Sequence, residues 1–231
     1  RGVSIRGGVV SGVTMFLGAW LQQAGIAETT AGQAAFLTGL YILFVPLLGL
    51  LVRQRVPWTT WCAGIVALVG LYLLSVREDL SISRGDVFEL VGAVFWALHI
   101  LCIDYYVKRT DALELSFWQF VFCAVLSTGA ALWLEPGSAS RAGEALLPIL
   151  YSGVVSVGLA YTLQVVAQKD ALPSHAALIL SLETVFAALG GALILGENLG
   201  VRGYAGCALM FTGTLISQWQ GLSGRTCPKE E

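Results

Sequence analysis

A glutamate sits near the middle of an otherwise apolar run. From Pro173 to Leu195 the chain reads PSHAALILSLETVFAALGGALIL, and Glu183 lies one residue from the midpoint. A carboxylate at the centre of a bilayer costs at least about 2.5–3.5 kcal/mol, so Glu183 must face protein or water rather than lipid. His99 lies three residues from the middle of a second apolar run, 86–106, one turn after Phe95 and Trp96. A carboxyl and an imidazole are the two side chains best suited to pass a proton inside a membrane, which makes Glu183 and His99 the candidate proton-coupling pair. The alternatives are plain: a hydrogen-bonded glutamate that ties helices together, and a histidine that packs on Trp96 or lines an apolar wall with it.

An internal repeat supplies further candidates. Displaced by 142 residues, the chain matches itself without a gap from 12 to 74, with 14 identities in 63 positions. Leu21-Gln22 falls on Leu163-Gln164, Ala34-Ala35 on Ala176-Ala177, Phe44 on Phe186 and Ala63-Gly64 on Ala205-Gly206. Polar residues at matched places are expected on equivalent helix faces. Gln22 matches Gln164, and Tyr41 matches Glu183; Tyr161 precedes Gln164 by three residues and shares its face. An amide inside a helix needs partners, because its desolvation costs about 1–3 kcal/mol. The substrate-binding candidates are therefore Gln22, Tyr41, Trp96, His99, Tyr161, Gln164 and Glu183. Each Gln could equally tie its helix to a neighbour.

These residues need elements to carry them. The composition is 56% hydrophobic and 12% charged, against about 25% charged in soluble domains. Eight apolar runs are each near the length needed to cross a hydrocarbon core: 8–27, 33–52, 58–76, 86–106, 115–134, 146–168, 173–195 and 200–220. Backbone groups in lipid must be satisfied within the segment, so the expected fold class is an all-α integral membrane protein with eight transmembrane helices. Trp58, Trp61, Tyr105, Tyr106, Trp118, Trp133, Tyr151 and Trp219 sit near run ends, as in an interfacial belt. Nine Lys and Arg fall on one side of the membrane and four on the other, and the positive-inside rule places the nine, with the C-terminal tail, in the cytoplasm.

The repeat carries the first run onto the sixth. Five helices is an odd number, so the two copies cross in opposite senses, as in the inverted repeats of secondary transporters. The second copy also holds 86–106 and 115–134, whose counterparts would precede residue 1. The expected whole is a ten-helix bundle of two inverted five-helix repeats, with its first two helices missing here. Residues 1–76 are then the last three helices of the first repeat, 77–85 the inter-repeat loop, 86–220 the second repeat and 221–231 a disordered cytoplasmic tail.

The stretches FLGAWLQQAGIAETTAGQAAFLTGLYILFVPLLGLL, LVGAVFWALHILCIDYYVK and SLETVFAALGGALILGENLGVRGYAGCALMFTGTLI resemble the drug/metabolite transporter superfamily, EamA type, over nearly all of 6–220. The resemblance implies two five-helix repeats around a central cavity and alternating-access movement of small metabolites, often outward across the bacterial inner membrane. Where many members carry Glu-Pro-Val in the penultimate helix, this chain has Glu183-Thr184-Val185.

Other classes find less support. There is no HExxH, GxSxG, intramembrane aspartate pair or GxxxxGK[ST] loop, so an intramembrane enzyme or an ATP-driven pump is disfavoured. A non-transporting helical scaffold has no need of two opposed halves. The net charge of −2 argues against nucleic acid. No cofactor or metal is expected: four of the five cysteines lie in apolar runs, with no CxxC pair, and read as small fillers. The expected partners are a small-molecule metabolite and the lipid bilayer. Runs 58–76 and 200–220, poor in polar residues and rich in small ones, are expected to brace the bundle or to form a homodimer contact. Glu89, Asp104, Lys108, Arg109 and His175 read as interfacial, Gln119 as a weaker candidate and Glu197 as a loop cap. With no cation at the expected midplane, the aromatic and amide candidates suit amino acids or related compounds.

Overall fold

Every apolar run has to satisfy its own backbone, and the computed structural model shows helices throughout. It describes residues 2–76, 83–134, 143, 145–194, 196 and 198–222. In chain order the elements are α1 (Gly2–Ile26), α2 (Ala31–Gly39), α3 (Tyr41–Leu51), α4 (Trp58–Ser75), α5 (Arg84–Val107), α6 (Ala112–Leu134), α7 (Leu146–Tyr151), a π-helical segment (Ser152–Tyr161), α8 (Thr162–Gln168), α9 (Pro173–Ile194) and α10 (Gly200–Leu222). Seven spans are long and apolar enough to cross a membrane: α1, α2 with α3, α4, α5, α6, the run from α7 to α8, and α9. The eighth expected span forms α10, which is long enough at 23 residues but less apolar than those seven. The fold class read from the sequence therefore holds. The expected tail, 221–231, begins inside α10, which runs to Leu222; residues 223–231, the loop charges Arg77 and Arg141, and Glu197 lie outside the described residues.

Local signals set the helix starts. The Thr30 hydroxyl caps α2 by accepting from Gln33 N at 3.2 Å. Ser83 and Asp86 form a reciprocal box at the start of α5: Ser83 N donates to Asp86 Oδ2 at 2.7 Å, and Asp86 N donates to Ser83 Oγ at 3.1 Å. Asp111 caps α6 by accepting from Leu113 N and Glu114 N. Pro173 opens α9, where its missing N–H leaves no helical bond unmade.

Two runs depart from the uniform helices expected. The run 33–52 divides at Leu40, where Leu40 N donates to Leu37 O and Leu43 N donates to Leu40 O in tight three-residue turns. The run 146–168 is widened over the ten residues of its π-helical segment, an unusually long stretch of that geometry.

The chain packs into two compact units. One is residues 1–17 with 101–171; the other is 18–100 with 172–231. In the first, Ile103 and Val107 of α5, Leu115 of α6 and Val165 of α8 form a buried cluster edged by Tyr106 and Ala112. There Ser4 of α1 donates to Glu114 Oε2 at 2.9 Å. In the second, α4 and α10 run antiparallel in close contact. A Cβ on Gly70 would lie 2.6 Å from Gly206 O, one on Gly206 would lie 2.6 Å from Gly70 O, and one on Gly213 would lie 2.7 Å from Ala63 O. Small residues at these places let two backbones approach as no larger side chain would. The expected bracing runs thus pack on each other within one chain. Nothing lies within 4 Å of a Cβ built at Gly190, so that glycine serves no close approach.

Candidate functional site

Gly18 of α1 leaves room for an indole: a Cβ there would come within 3.1 Å of the Trp96 ring. From that position Trp96 Nε1 donates to Gln22 Oε1 at 3.2 Å, one turn further along α1. On its other side Trp96 meets His99 edge to face, with ring centroids 5.9 Å apart, and His99 is fully buried. Three residues singled out in the sequence, Gln22, Trp96 and His99, therefore form one continuous row between α1 and α5. The Gln22 carbonyl is engaged by the indole, while its Nε2 has no partner among the described residues.

A second polar group lies about two to three turns nearer the start of α5. Read as an interfacial charge, Glu89 is instead fully buried. Thr38 of α2 donates to its Oε2 at 2.6 Å, and its Oε1 accepts no hydrogen bond among the described residues. Gly25 of α1 makes the burial possible, since a Cβ there would stand 2.6 Å from Oε1. Asp86, one turn earlier, is also buried and accepts from Thr29 Oγ1 at 2.6 Å as well as from its capping partner Ser83. The signals were present in the sequence as the S-x-x-D box at 83–86, the glycines at 25 and 85 and the threonines at 29 and 38. No hydropathy rule links residues so far apart in the chain.

The remaining candidates are dispersed. Glu183 is exposed on α9, and it makes no hydrogen bond or ion pair among the described residues. Tyr41 is buried on α3. In the other unit Gln164 Nε2 donates to Gln168 Oε1 at 3.4 Å, and Tyr161 closes the π-helical segment half-buried. Asp104, expected at the interface, is buried and paired with Lys108, while Arg109 lies over the Tyr105 ring. Among the described residues, the buried His175 Nε2 has no hydrogen-bond partner, and Gln119 is fully buried with neither amide atom bonded.

A cavity of about 690 Å³ opens among residues of the second unit. Thr30 capping α2, Gln33 of α2, Ser75 of α4, Thr184 of α9 and Asn198 before α10 supply its polar lining, and no ionisable side chain among the described residues borders it. None of the seven residues expected to bind substrate borders it either. Gln33 joins this wall to the buried acids, because its Oε1 accepts from Thr29 Oγ1 at 3.3 Å, the hydroxyl that also holds Asp86.

Apolar helices long enough to cross a bilayer, a glycine-faced antiparallel pair and polar groups enclosed between helices define a polytopic membrane protein. Residues 83–219 match the EamA-like transporter family, and the chain belongs to it. It is 31% identical to an uncharacterized transporter of Archaeoglobus fulgidus over 94% of this chain and 70% of that one. It is 24% identical to another of Methanothermobacter thermautotrophicus, over 85% of this chain and 59% of that one. A WAT1-related protein of Arabidopsis thaliana is 25% identical over 62% of this chain and 39% of its own length. A crystal structure superposes with a TM-score of 0.77 over 97% of this chain and 88% of that one; at 13% identity the likeness is one of fold. The family places the chain among transporters rather than enzymes.

Proposed function

We propose that the protein is a secondary transporter that exports small organic metabolites, such as amino acids or related compounds, by alternating access between two inverted repeats. The observation that carries this reading is the row of Gln22, Trp96 and His99. It sets an amide donor beside two rings, and the unpartnered Gln22 Nε2 can bind a solute carbonyl or carboxylate while Trp96 covers an apolar part. The antiparallel contact of α4 with α10, matched elements of the repeat, supports two halves of opposite sense. Glu183, accessible and without an ion-pair partner, suits a role in proton coupling with His99. The charge distribution supports a cytoplasmic C-terminus in the cell membrane.

The test uses the full-length protein in sealed liposomes, with pooled radiolabelled amino acids and small metabolites supplied with and without a pH gradient. Accumulation that requires the gradient supports proton-coupled transport. Equilibration without it supports a facilitator or exchanger, and no movement from any pool would count against this substrate class.

A further inference from the structure

We propose that Glu89 is a proton-exchange site of this protein, closed over by Thr38 of α2 and by Gly25 of α1 in the conformation seen here. The carboxyl is fully buried, the sixth residue of a membrane-length helix. At about 1.5 Å of rise per residue that places it roughly one and a half turns inside the start of α5. Thr38 satisfies one oxygen at 2.6 Å. The other lies against the backbone of α1 at Gly25 and accepts no hydrogen bond among the described residues. A buried charge is retained where a partner or several hydrogen bonds hold it, and among the described residues Glu89 has one hydroxyl and no cation.

The ionisable groups around it are few. On α5 the nearest is Asp86, buried one turn away and of like sign. Glu28, two residues past the end of α1, is exposed and lies beside Gly85 rather than Glu89. The Gly18–Ile26 half of α1 and the whole of α2 contribute no ionisable side chain. His99 is ten residues further along α5 and engaged with Trp96. Glu89 therefore holds its proton while α2 covers it. If α2 withdraws Thr38, water reaches the carboxyl and the proton leaves to that water; closure requires its return. The hinge for such a movement is present: α2 is a nine-residue helix set off from α3 by the turn at Leu40, and its Thr30 and Gln33 border the cavity. That the proton drives a solute rests on the transport reading above; that Glu89 exchanges it does not.

Infrared spectroscopy of the full-length protein in lipid decides the matter. The carbonyl stretch of a carboxylic acid is recorded between about pH 5 and about pH 9, a range that brackets buried glutamates known to titrate. Subtracting the Glu89→Gln spectrum isolates this one group. The expected result is a single carboxylic-acid band at the acid end that vanishes as pH rises. Thr38→Val, which keeps the shape and removes the hydroxyl, should move that disappearance downward by about one pH unit, because the hydroxyl is bonded only in the closed, protonated form and its loss favours opening. A band that persists at every pH would make Glu89 a neutral structural tie, and a band absent at every pH would make it permanently ionised. Either result overturns the proposal, as does a Thr38→Val titration that coincides with the wild type. A titrating Glu89 in a protein that moves no solute would sink the transport reading alone.

Discussion

Gly70 and Gly206 face each other across α4 and α10 so closely that a Cβ on either would stand 2.6 Å from the other's carbonyl oxygen. The approach is reciprocal, and it makes this seam a direct test of helix packing. Gly206→Leu should splay the helices and lower stability by on the order of 1–3 kcal/mol. Gly190→Ala, with nothing within 4 Å, should be neutral or slightly stabilising. Thermal unfolding of both variants in detergent checks the contrast; equal melting temperatures would mean that α4 and α10 do not pack as described.

Gly25 and Glu89 offer a double-mutant test. Gly25→Ala drives a methyl to within 2.6 Å of Glu89 Oε1, which should destabilise the protein. Glu89→Ala removes the obstacle, so the double variant should be more stable than additivity allows. Additive losses would show that the two side chains do not share the space.

The row from Gln22 to His99 predicts a binding phenotype. Gln22→Ala removes both the acceptor of the Trp96 N–H and the Nε2 donor proposed for the solute. One such hydrogen bond is worth about 1 kcal/mol, or roughly a fivefold rise in apparent KM. Trp96→Phe keeps a ring and removes the N–H, and should act in the same direction. Once a transported solute is found, uptake at varied concentration separates KM from maximal rate, and an unchanged KM in both variants would remove the row from the binding site.

Glu183→Gln should leave folding intact, since Glu183 makes no hydrogen bond or ion pair among the described residues, and should abolish the pH dependence of flux. The measurement is uptake across a range of external pH with the melting temperature as control. Flux that keeps its pH dependence would take Glu183 out of the coupling mechanism.

The sequence by itself determined the helical spans, because lipid offers the backbone no partner and every apolar run must close its own hydrogen bonds. It also named the residues of the Gln22–Trp96–His99 row: Trp96 and His99 near the middle of an apolar run, and Gln22 by its match to Gln164 across the internal repeat. Only the tertiary structure decided what each one touches. Glu89 and Asp104, near the ends of their span, look interfacial on a hydropathy count. Burial of Glu89 depends on a glycine 64 residues earlier in the chain and a threonine 51 residues earlier. The division at Leu40, the π-helical segment and the Gly70–Gly206 seam are likewise settled by which helices meet, and hydropathy, read along one dimension, holds no record of that.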